Sequence, residues 1–197
     1  MIGKTATPRE TRREERIAEI IAAAWKLARE QGIGGLSLHA LAREVGIRQP
    51  SLYAYFDSKH ALYDAMFADG NEQLLACLDA TALPDDPRAA VKTFMRAFMG
   101  FALADTERHN LMFQRPIPGF VPSPSAYAYA ERVMAQGVSV LRGAGVTEQG
   151  DVDCFVAMVG GLIAAQISND SGGDRWSRHL DHLTDMYLDD AQRRTRG

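Results

Sequence analysis

The chain has 197 residues, of which 46% are hydrophobic and 24% charged, a globular composition that excludes wholesale disorder. No run of 18 apolar residues occurs and the first residues lack an apolar signal core, so we expect neither a membrane span nor secretion. The two cysteines, Cys77 and Cys154, lie far apart, which argues against a disulfide framework or a cysteine zinc site and fits a reducing cytoplasm.

The net charge of −3 hides an asymmetry along the chain. Residues 1–60 carry 10 Lys and Arg against 7 Asp and Glu, whereas residues 61–197 carry 12 against 18. A basic N-terminal third on an acidic body suggests a local surface for a polyanion.

Helical periodicity starts near the beginning of the chain. Apolar residues recur at helical spacing over residues 11–31, and Gly32 follows where such a helix would end. A short helix capped by Ser37 then ends at Gly46. Pro50 suits the first turn of a second short helix that runs to residue 56. The expected core residues of these two helices are Leu41, Val45, Leu52 and Phe56.

The remainder of the chain is predicted to be helical as well. A long helix is expected over residues 59–80, with an interruption at Gly70-Asn71 because a glycine inside a helix costs about 1 kcal/mol relative to alanine. Further helices are predicted over residues 87–104, 106–114, 125–142, 148–169 and 174–192, with a stiff proline-rich loop over 116–124. No strand pattern is present, so the predicted fold is all-α.

The two short helices have the form of a helix-turn-helix, in which the second helix enters the major groove of DNA. Gln49, at the start of that helix, can bond an adenine edge through two hydrogen bonds, and Arg48 can reach guanine or a phosphate. Tyr53 and Tyr55 either offer hydroxyls to phosphate oxygens or simply pack. Lys59 lies at the start of the next helix, where a phosphate is also favoured.

One stretch resembles the DNA-binding domain of the tetracycline-repressor (TetR) family. The resemblance is carried by Leu36-Ser37-Leu38-His39-Ala40-Leu41-Ala42-Arg43-Glu44-Val45-Gly46-Ile47, then by Gln49-Pro50-Ser51-Leu52-Tyr53-Ala54-Tyr55-Phe56, Lys59 and Leu62. The DNA contacts that it implies are Ser37, His39, Arg48, Gln49, Ser51, Tyr53, Tyr55 and Lys59. His39 stands where the tetracycline repressor has a base-reading arginine, and Ala54 replaces a larger residue, so a different operator is expected. His39 either contacts DNA or is solvated.

The resemblance also implies a division of function. Residues 11–58 would form the helix-turn-helix DNA-binding domain, and residues 59–193 a helical bundle for ligand binding and dimerisation. The expected protein is a cytoplasmic transcriptional regulator, most simply a repressor, that binds a palindromic double-stranded DNA operator as a homodimer without a cofactor or metal. A small-molecule effector would release it by moving the helix over residues 59–80. The alternatives are a helix-turn-helix adaptor without an effector and a small helical enzyme, although no catalytic motif is present.

Aromatic and methionine side chains recur along the predicted C-terminal helices. By resemblance, we expect an effector cavity within residues 90–165. The expected lining residues are Phe94, Phe98, Met112, Phe113, Tyr127 and Phe155. Stripes of this kind are also typical of a plain hydrophobic core, which is the alternative interpretation.

A homodimer is expected because a lone helix-turn-helix makes too few contacts for specific binding. Two C-terminal helices carry the faces assigned to self-packing, with Gly160 and Gly161 allowing close approach. Those faces are Phe155, Val159, Leu162 and Gln166 on one helix, and Trp176, Leu180, Leu183 and Tyr187 on the other. His179 and His182 could hold a metal ion, but a solvated helix face is the simpler interpretation.

Overall fold

The computed structural model describes residues 7–196, with side chains up to residue 194, and this part of the chain is helical without a strand. The predicted all-α fold is therefore confirmed. The helices are α1 (Pro8–Gln31), α2 (Leu38–Glu44), α3 (Gln49–Leu52), α4 (Lys59–Asp79), α5 (Pro87–Ala104), α6 (Thr106–Phe113), α7 (Pro124–Gly143), α8 (Gln149–Asn169) and α9 (Leu180–Arg196).

Helix α1 begins at Pro8, three residues before the predicted start at Thr11. Thr7 and Glu10 form a capping box: the Thr7 hydroxyl accepts from the Glu10 N–H at 3.3 Å, and the Glu10 carboxylate accepts from the Thr7 N–H at 2.7 Å. These two bonds satisfy backbone donors that a helix start leaves unpaired. The additional residues place Arg9 on the helix, together with Arg12 of the predicted span.

The contacts divide the described chain into two compact units. The first unit comprises residues 7–70 and 107–127, and the second comprises residues 71–106 and 128–196. The boundary between compact units thus falls within α4, after Gly70. The predicted functional boundary between residues 58 and 59 is a separate matter and stays a prediction.

The first unit is built around a hydrophobic core that joins α1, α2, α3 and the first half of α4. Leu41, Val45, Leu52 and Phe56 are buried there, as predicted. Buried polar groups fix the connection between α1 and α2. Tyr63 donates to the carbonyl of Ile33 at 3.0 Å, and the Ile33 N–H donates to the Glu107 carboxylate at 2.6 Å. The backbone N–H and carbonyl of the buried residue Ile33 are therefore both bonded by side chains, from α6 and α4 respectively.

Helix α4 continues without a break through Gly70, so the predicted interruption is wrong. The glycine has a packing reason instead, because a Cβ built there would lie 2.9 Å from Sδ of Met112 and 3.4 Å from Cγ of Arg108. If a larger residue replaced this glycine, contacts this short would require the Met112 side chain to shift. Gly70 therefore allows α6 to approach α4 closely within the first unit.

We expect Gly70→Ala to gain stability only when Met112 is shortened. In the wild-type background, the gain of about 1 kcal/mol from helix propensity is offset by the clash with Met112. In a Met112→Ala background the clash is absent, so the same substitution should stabilise by about 1 kcal/mol more than in the wild type. Urea unfolding of the four proteins measures this coupling. Additive free energies would show that the close approach has no energetic consequence.

In the second unit, α9 is fastened to α5 by a ladder of ion pairs. Arg88 lies 3.0 Å from Asp185 and 2.5 Å from Asp189, and Lys92 lies 2.6 Å from Asp185. Arg96 pairs with Asp181 one turn further along. The spacing of four residues on both helices aligns successive charges, and this register fixes how α9 lies along α5.

We expect Asp185→Asn to remove part of the acid sensitivity of the fold. Hydrogen bonds from Lys92 and then Arg88 lower the pKa of Asp185 below its ordinary value of 3.8. A carboxyl with a depressed folded-state pKa contributes stability above its unfolded pKa and loses it as the pH falls through the folded-state pKa. Since the side chain is 38% exposed and screened by water, this contribution is about 1 kcal/mol at pH 7.

Unfolding free energies measured between neutral pH and about pH 3 check this prediction. The D185N variant should be less stable at pH 7 but lose less stability on acidification. Asp174→Asn is the matched control, because Asp174 is exposed and pairs with no cation in residues 7–194. Parallel pH profiles for wild type and D185N would contradict the role assigned to the ladder.

Helix α8 is long and apolar enough, by length and composition alone, to cross a membrane, with a mean hydropathy of 1.5. Core helices of water-soluble proteins have the same property, so one such helix is weak evidence for a membrane span. Only 33% of the most apolar 18-residue stretch of this helix is buried within the chain. Much of this helix is thus not covered by the rest of the described chain.

Candidate nucleic-acid interface

The helix-turn-helix forms by local hydrogen bonds and a tight turn. Ser37 caps α2 by accepting from the Ala40 N–H at 3.4 Å, as its sequence position predicts. After α2, Gly46 adopts a φ of +69°, a conformation that side-chain-bearing residues rarely adopt. The Ile47 N–H then donates to the Ala42 carbonyl at 2.9 Å, which closes the turn. Gly46 is therefore the residue that allows α3 to leave α2 at this angle.

Helix α3 is only four residues long and continues as a tight turn through Phe56. Leu52 and Phe56 anchor it in the core at 2% and 8% exposure. Arg48 and Ser51, which precede Leu52, and Tyr53, which lies between the two anchors, are exposed, because the anchors fix which side of the short helix is buried. The recognition segment, residues 48–55, is thus presented on the surface by two buried side chains.

The two predicted base-reading residues lie at the start of this recognition segment. Arg48 is exposed and Gln49 is half-buried, and neither side chain has a hydrogen-bond partner within residues 7–194. Ser51 is also exposed on α3. Their donors and acceptors are therefore available to base edges.

The predicted phosphate contacts lie along the same surface. Tyr53 is 48% exposed, whereas Tyr55 is half-buried. Lys59 begins α4, with its ammonium 5.4 Å from the ring centre of Tyr63. His39 is exposed in the first turn of α2, and the hydroxyl of Ser37 is engaged as a helix cap. The structure thus brings all eight predicted residues onto one unit, and their contacts with DNA stay predictions.

The six residues predicted to bind an effector do not share one compact unit. Phe94, Phe98 and Phe155 belong to the second unit and Met112, Phe113 and Tyr127 to the first. Several have packing partners of their own: Phe155 contacts Tyr187 with ring centres 5.2 Å apart, and Tyr127 stacks on Phe67 at 6.5 Å. Their role as effector ligands stays a prediction.

The prediction of which residues pack against a second copy is wrong at most positions. The chain itself buries Phe155, Val159, Leu162, Gln166 and Leu180, so they cannot form a face for a second copy. The exposed apolar surface lies on the other side of the same helices. This surface, the α8–α9 face, is defined by the exposed residues Val156, Ala157, Gly161, Ala164 and Met186, with His182 as its one polar member. Val156 and Met186 are 42% and 54% exposed.

Gln166 has a structural role that the sequence did not reveal. Its amide oxygen accepts from the N–H groups of Trp176 and Ser177 at 2.8 and 2.9 Å, and its nitrogen donates to the Gly173 carbonyl at 3.1 Å. This buried amide therefore holds the loop between α8 and α9. A polar residue within an apolar helix stripe was the available signal.

Sequence reasoning also missed a stripe of four arginines on α1. Arg9, Arg12, Arg13 and Arg16 are spaced at i, i+3, i+4 and i+7, which places them on one side of the helix. Arg16 donates to the Val45 carbonyl at 2.7 Å and Arg13 to the Ala54 carbonyl at 3.4 Å. The stripe therefore runs from the end of α2 past the end of the recognition segment.

A surface recognition segment on a helix-turn-helix core is the arrangement by which DNA-binding domains of this class enter the major groove. Residues 20–66 match the model of the family described as bacterial regulatory proteins, tetR family. This match contains α2, the turn, α3 and the start of α4. The helix-turn-helix of this chain therefore matches the DNA-binding domain of that family, as the resemblance in its sequence had suggested.

Relatives agree with this assignment. Over 119 residues the chain is 28% identical to an HTH-type transcriptional regulator of Mycobacterium tuberculosis, covering 59% of this chain and 51% of that protein. The chain thus spans about half the length of the curated relatives that it matches in this way. It is also 47% identical over 47 residues to the tetracycline repressor protein class D of Escherichia coli, covering 24% of this chain and 22% of the repressor.

The fold is similar to that of a TetR protein from Acinetobacter baumannii AYE, solved in complex with minocycline. The TM-score is 0.58 at 24% identity, and the match covers 89% of this chain and 96% of that one. The similarity therefore extends over both compact units, and at this identity it concerns the fold.

Proposed function

We propose that this regulator is a repressor that binds a palindromic operator as a homodimer and leaves it when a small molecule binds. The observation that carries the proposal is the recognition segment, whose polar side chains at Arg48, Gln49 and Ser51 have no partner in residues 7–194. Side chains free to pair with base edges are what direct readout in the major groove requires.

The α8–α9 face supports the dimer. It combines exposed apolar side chains at Val156 and Met186 with small residues at Ala157, Gly161 and Ala164. A Cβ built on Gly161 would meet nothing within 4 Å, so another helix can approach closely there. An isologous contact between two copies of this face would create the two-fold symmetry that a palindromic operator matches.

The release by a small molecule is supported by the aromatic and methionine content of the second unit and by one neighbour. Phe94, Met95 and Met99 lie on α5, and methionine adapts to ligands of varied shape. The similar protein from Acinetobacter baumannii is named as a complex with minocycline. The effector of the present chain is a separate question, because the match to the tetracycline repressor protein class D covers 24% of this chain. A DNA-binding role would place the chain in the cytoplasm of a bacterium.

Footprinting on the DNA upstream of the chain's own gene tests this function, repeated with a panel of candidate small molecules. A two-fold symmetric footprint that one compound removes is expected. A ligand-induced loss of affinity of roughly 5- to 150-fold corresponds to the usual coupling between two sites. A footprint that no compound alters would favour the adaptor without an effector, and turnover of a compound without any footprint would favour an enzyme.

A further inference from the structure

We propose that the first turns of α1 and the end of the recognition segment form a second DNA-backbone site that binds phosphates beside the helix-turn-helix. The site is a surface depression of about 320 Å³ within the first unit. Its lining residues are Arg9, Arg12, Arg13, Ala54 and Tyr55. We call it the arginine groove. The inference rests on the proposed DNA binding and adds a contact region that the helix-turn-helix pattern does not include.

The arginine groove has a fixed wall and a free wall. On the fixed side, Arg13 donates to the Ala54 carbonyl and lies 6.0 Å from the ring centre of Tyr55, so α1 is tied to the end of the recognition segment. On the free side, Arg9 and Arg12 are exposed and form no hydrogen bond or ion pair in residues 7–194. The guanidinium groups of Arg9 and Arg12 are thus available to a ligand, while Arg13 fixes α1 against the end of the recognition segment.

The local charge is suited to an anion. On a helix of 3.6 residues per turn the four arginines occupy an arc of about 100°, and Glu10, Glu14 and Glu15 fall outside it. Glu10 is held by the capping box with Thr7, whose backbone N–H is the main cause of its lowered pKa. Glu19 of the same helix pairs with Arg16, which does not line the groove. The arginines that line the groove therefore have no acidic residue of this helix within their arc.

The position of the groove identifies the anion as DNA backbone rather than a free phosphate. Its far wall, Ala54 and Tyr55, directly follows the recognition segment that carries Gln49 and Ser51. A duplex lying on that segment would bring its phosphates past the same edge. Planar guanidinium groups bind phosphate oxygens through paired hydrogen bonds, and such contacts position a protein without reading sequence.

The test is the salt dependence of binding to a labelled random-sequence duplex of about 30 base pairs, between about 50 and 200 mM KCl. The slope of log K against log salt should become less steep by about 0.9 for each lost phosphate contact. In R9Q/R12Q two contacts are lost in each copy of the chain, so the expected change is about 1.8 per copy. R9K/R12K should keep the slope because the charge remains. The matched control R132Q/R142Q removes two exposed arginines from α7 and should leave the slope unchanged.

Four results would overturn the proposal. The first is a slope in R9Q/R12Q that equals the wild-type slope. The second is a loss of salt dependence in R132Q/R142Q as large as that in R9Q/R12Q, which would attribute the effect to net charge. A lysine variant that loses the slope as fully as the glutamine variant would indicate damage to α1. Finally, a thermal shift in inorganic phosphate that R9Q/R12Q abolishes, with an unchanged duplex slope, would assign the groove to a free anion. If the wild type binds no duplex at all, the proposed function fails and the groove fails with it, whereas the other results leave that function intact.

Discussion

Replacing Gln49 by alanine should weaken binding to the true operator by roughly 1–3 kcal/mol per half-site and relax discrimination at one base pair in each half. In a dimer the substitution acts twice. The reason lies in the position of Gln49 at the start of α3, where its amide has no partner in residues 7–194. Removal of this side chain should therefore cost no folding energy of note, and the loss should appear on the specific sequence only.

Lys59→Ala should act in a different way. Its ammonium lies at the start of α4 and above the Tyr63 ring, on the flank of the recognition segment. Without it, binding should weaken on all duplexes alike, and the salt dependence should fall by about one unit per neutralised phosphate. Base preference should be unchanged because phosphates carry no sequence information.

Salt titrations of both variants, on the footprinted operator and on a random duplex, separate the two roles. Gln31→Ala is the matched control for Gln49→Ala, because Gln31 is an exposed glutamine at the end of α1. Our assignment is reversed if Gln49→Ala lowers the affinity for both duplexes equally while Lys59→Ala changes base preference.

The second large effect is expected at the α8–α9 face. The double substitution Ala157→Glu and Ala164→Glu should convert the dimer to a monomer at micromolar concentration. Both alanines are exposed in the free chain, so folding of one copy should be unaffected. In the proposed dimer four carboxylates would be buried without partners, at a cost of at least about 3 kcal/mol, or more than a hundredfold in the dissociation constant.

Light scattering at the exit of a gel-filtration column measures the mass directly, and anisotropy on the operator measures the loss of affinity. The control is Ala128→Glu with Ala135→Glu, two exposed alanines that lie at the same seven-residue spacing on α7. It adds the same charge to a similar helix and should remain dimeric. A dimeric mass for the α8 variant would place the subunit interface elsewhere.

The helix-turn-helix was the most predictable part of the molecule because its signals are local. A serine cap before α2, a glycine in the turn and a proline opening α3 each determine backbone geometry within a few residues. The sequence predicted the positions of Leu41, Leu52 and Phe56 in the core for the same reason. In this segment the apolar residues that recur at helical spacing are also the residues that the structure buries.

The errors arose where the outcome depends on contacts between distant segments. Gly70 suggested a break because helix propensity alone was considered, whereas α4 runs through it and Met112 of α6 packs against the space that a side chain would fill. The apolar faces of α8 could not be told apart, since the helix is nearly uncharged on all sides and periodicity does not indicate which face its own chain covers. The effector residues share this ambiguity, because aromatic spacing in a ligand cavity and in a core is the same.

The recognition segment depends for its position on Leu52 and Phe56, while its outward side chains at Arg48, Gln49 and Ser51 contribute nothing to the core. The residues that hold the segment and the residues that read DNA are therefore separate sets. A new target sequence could be acquired by exchange of the outward residues one at a time, without an intermediate that fails to fold. Grafting the outward side chains of a relative onto this scaffold should accordingly transfer its DNA preference at little cost in melting temperature.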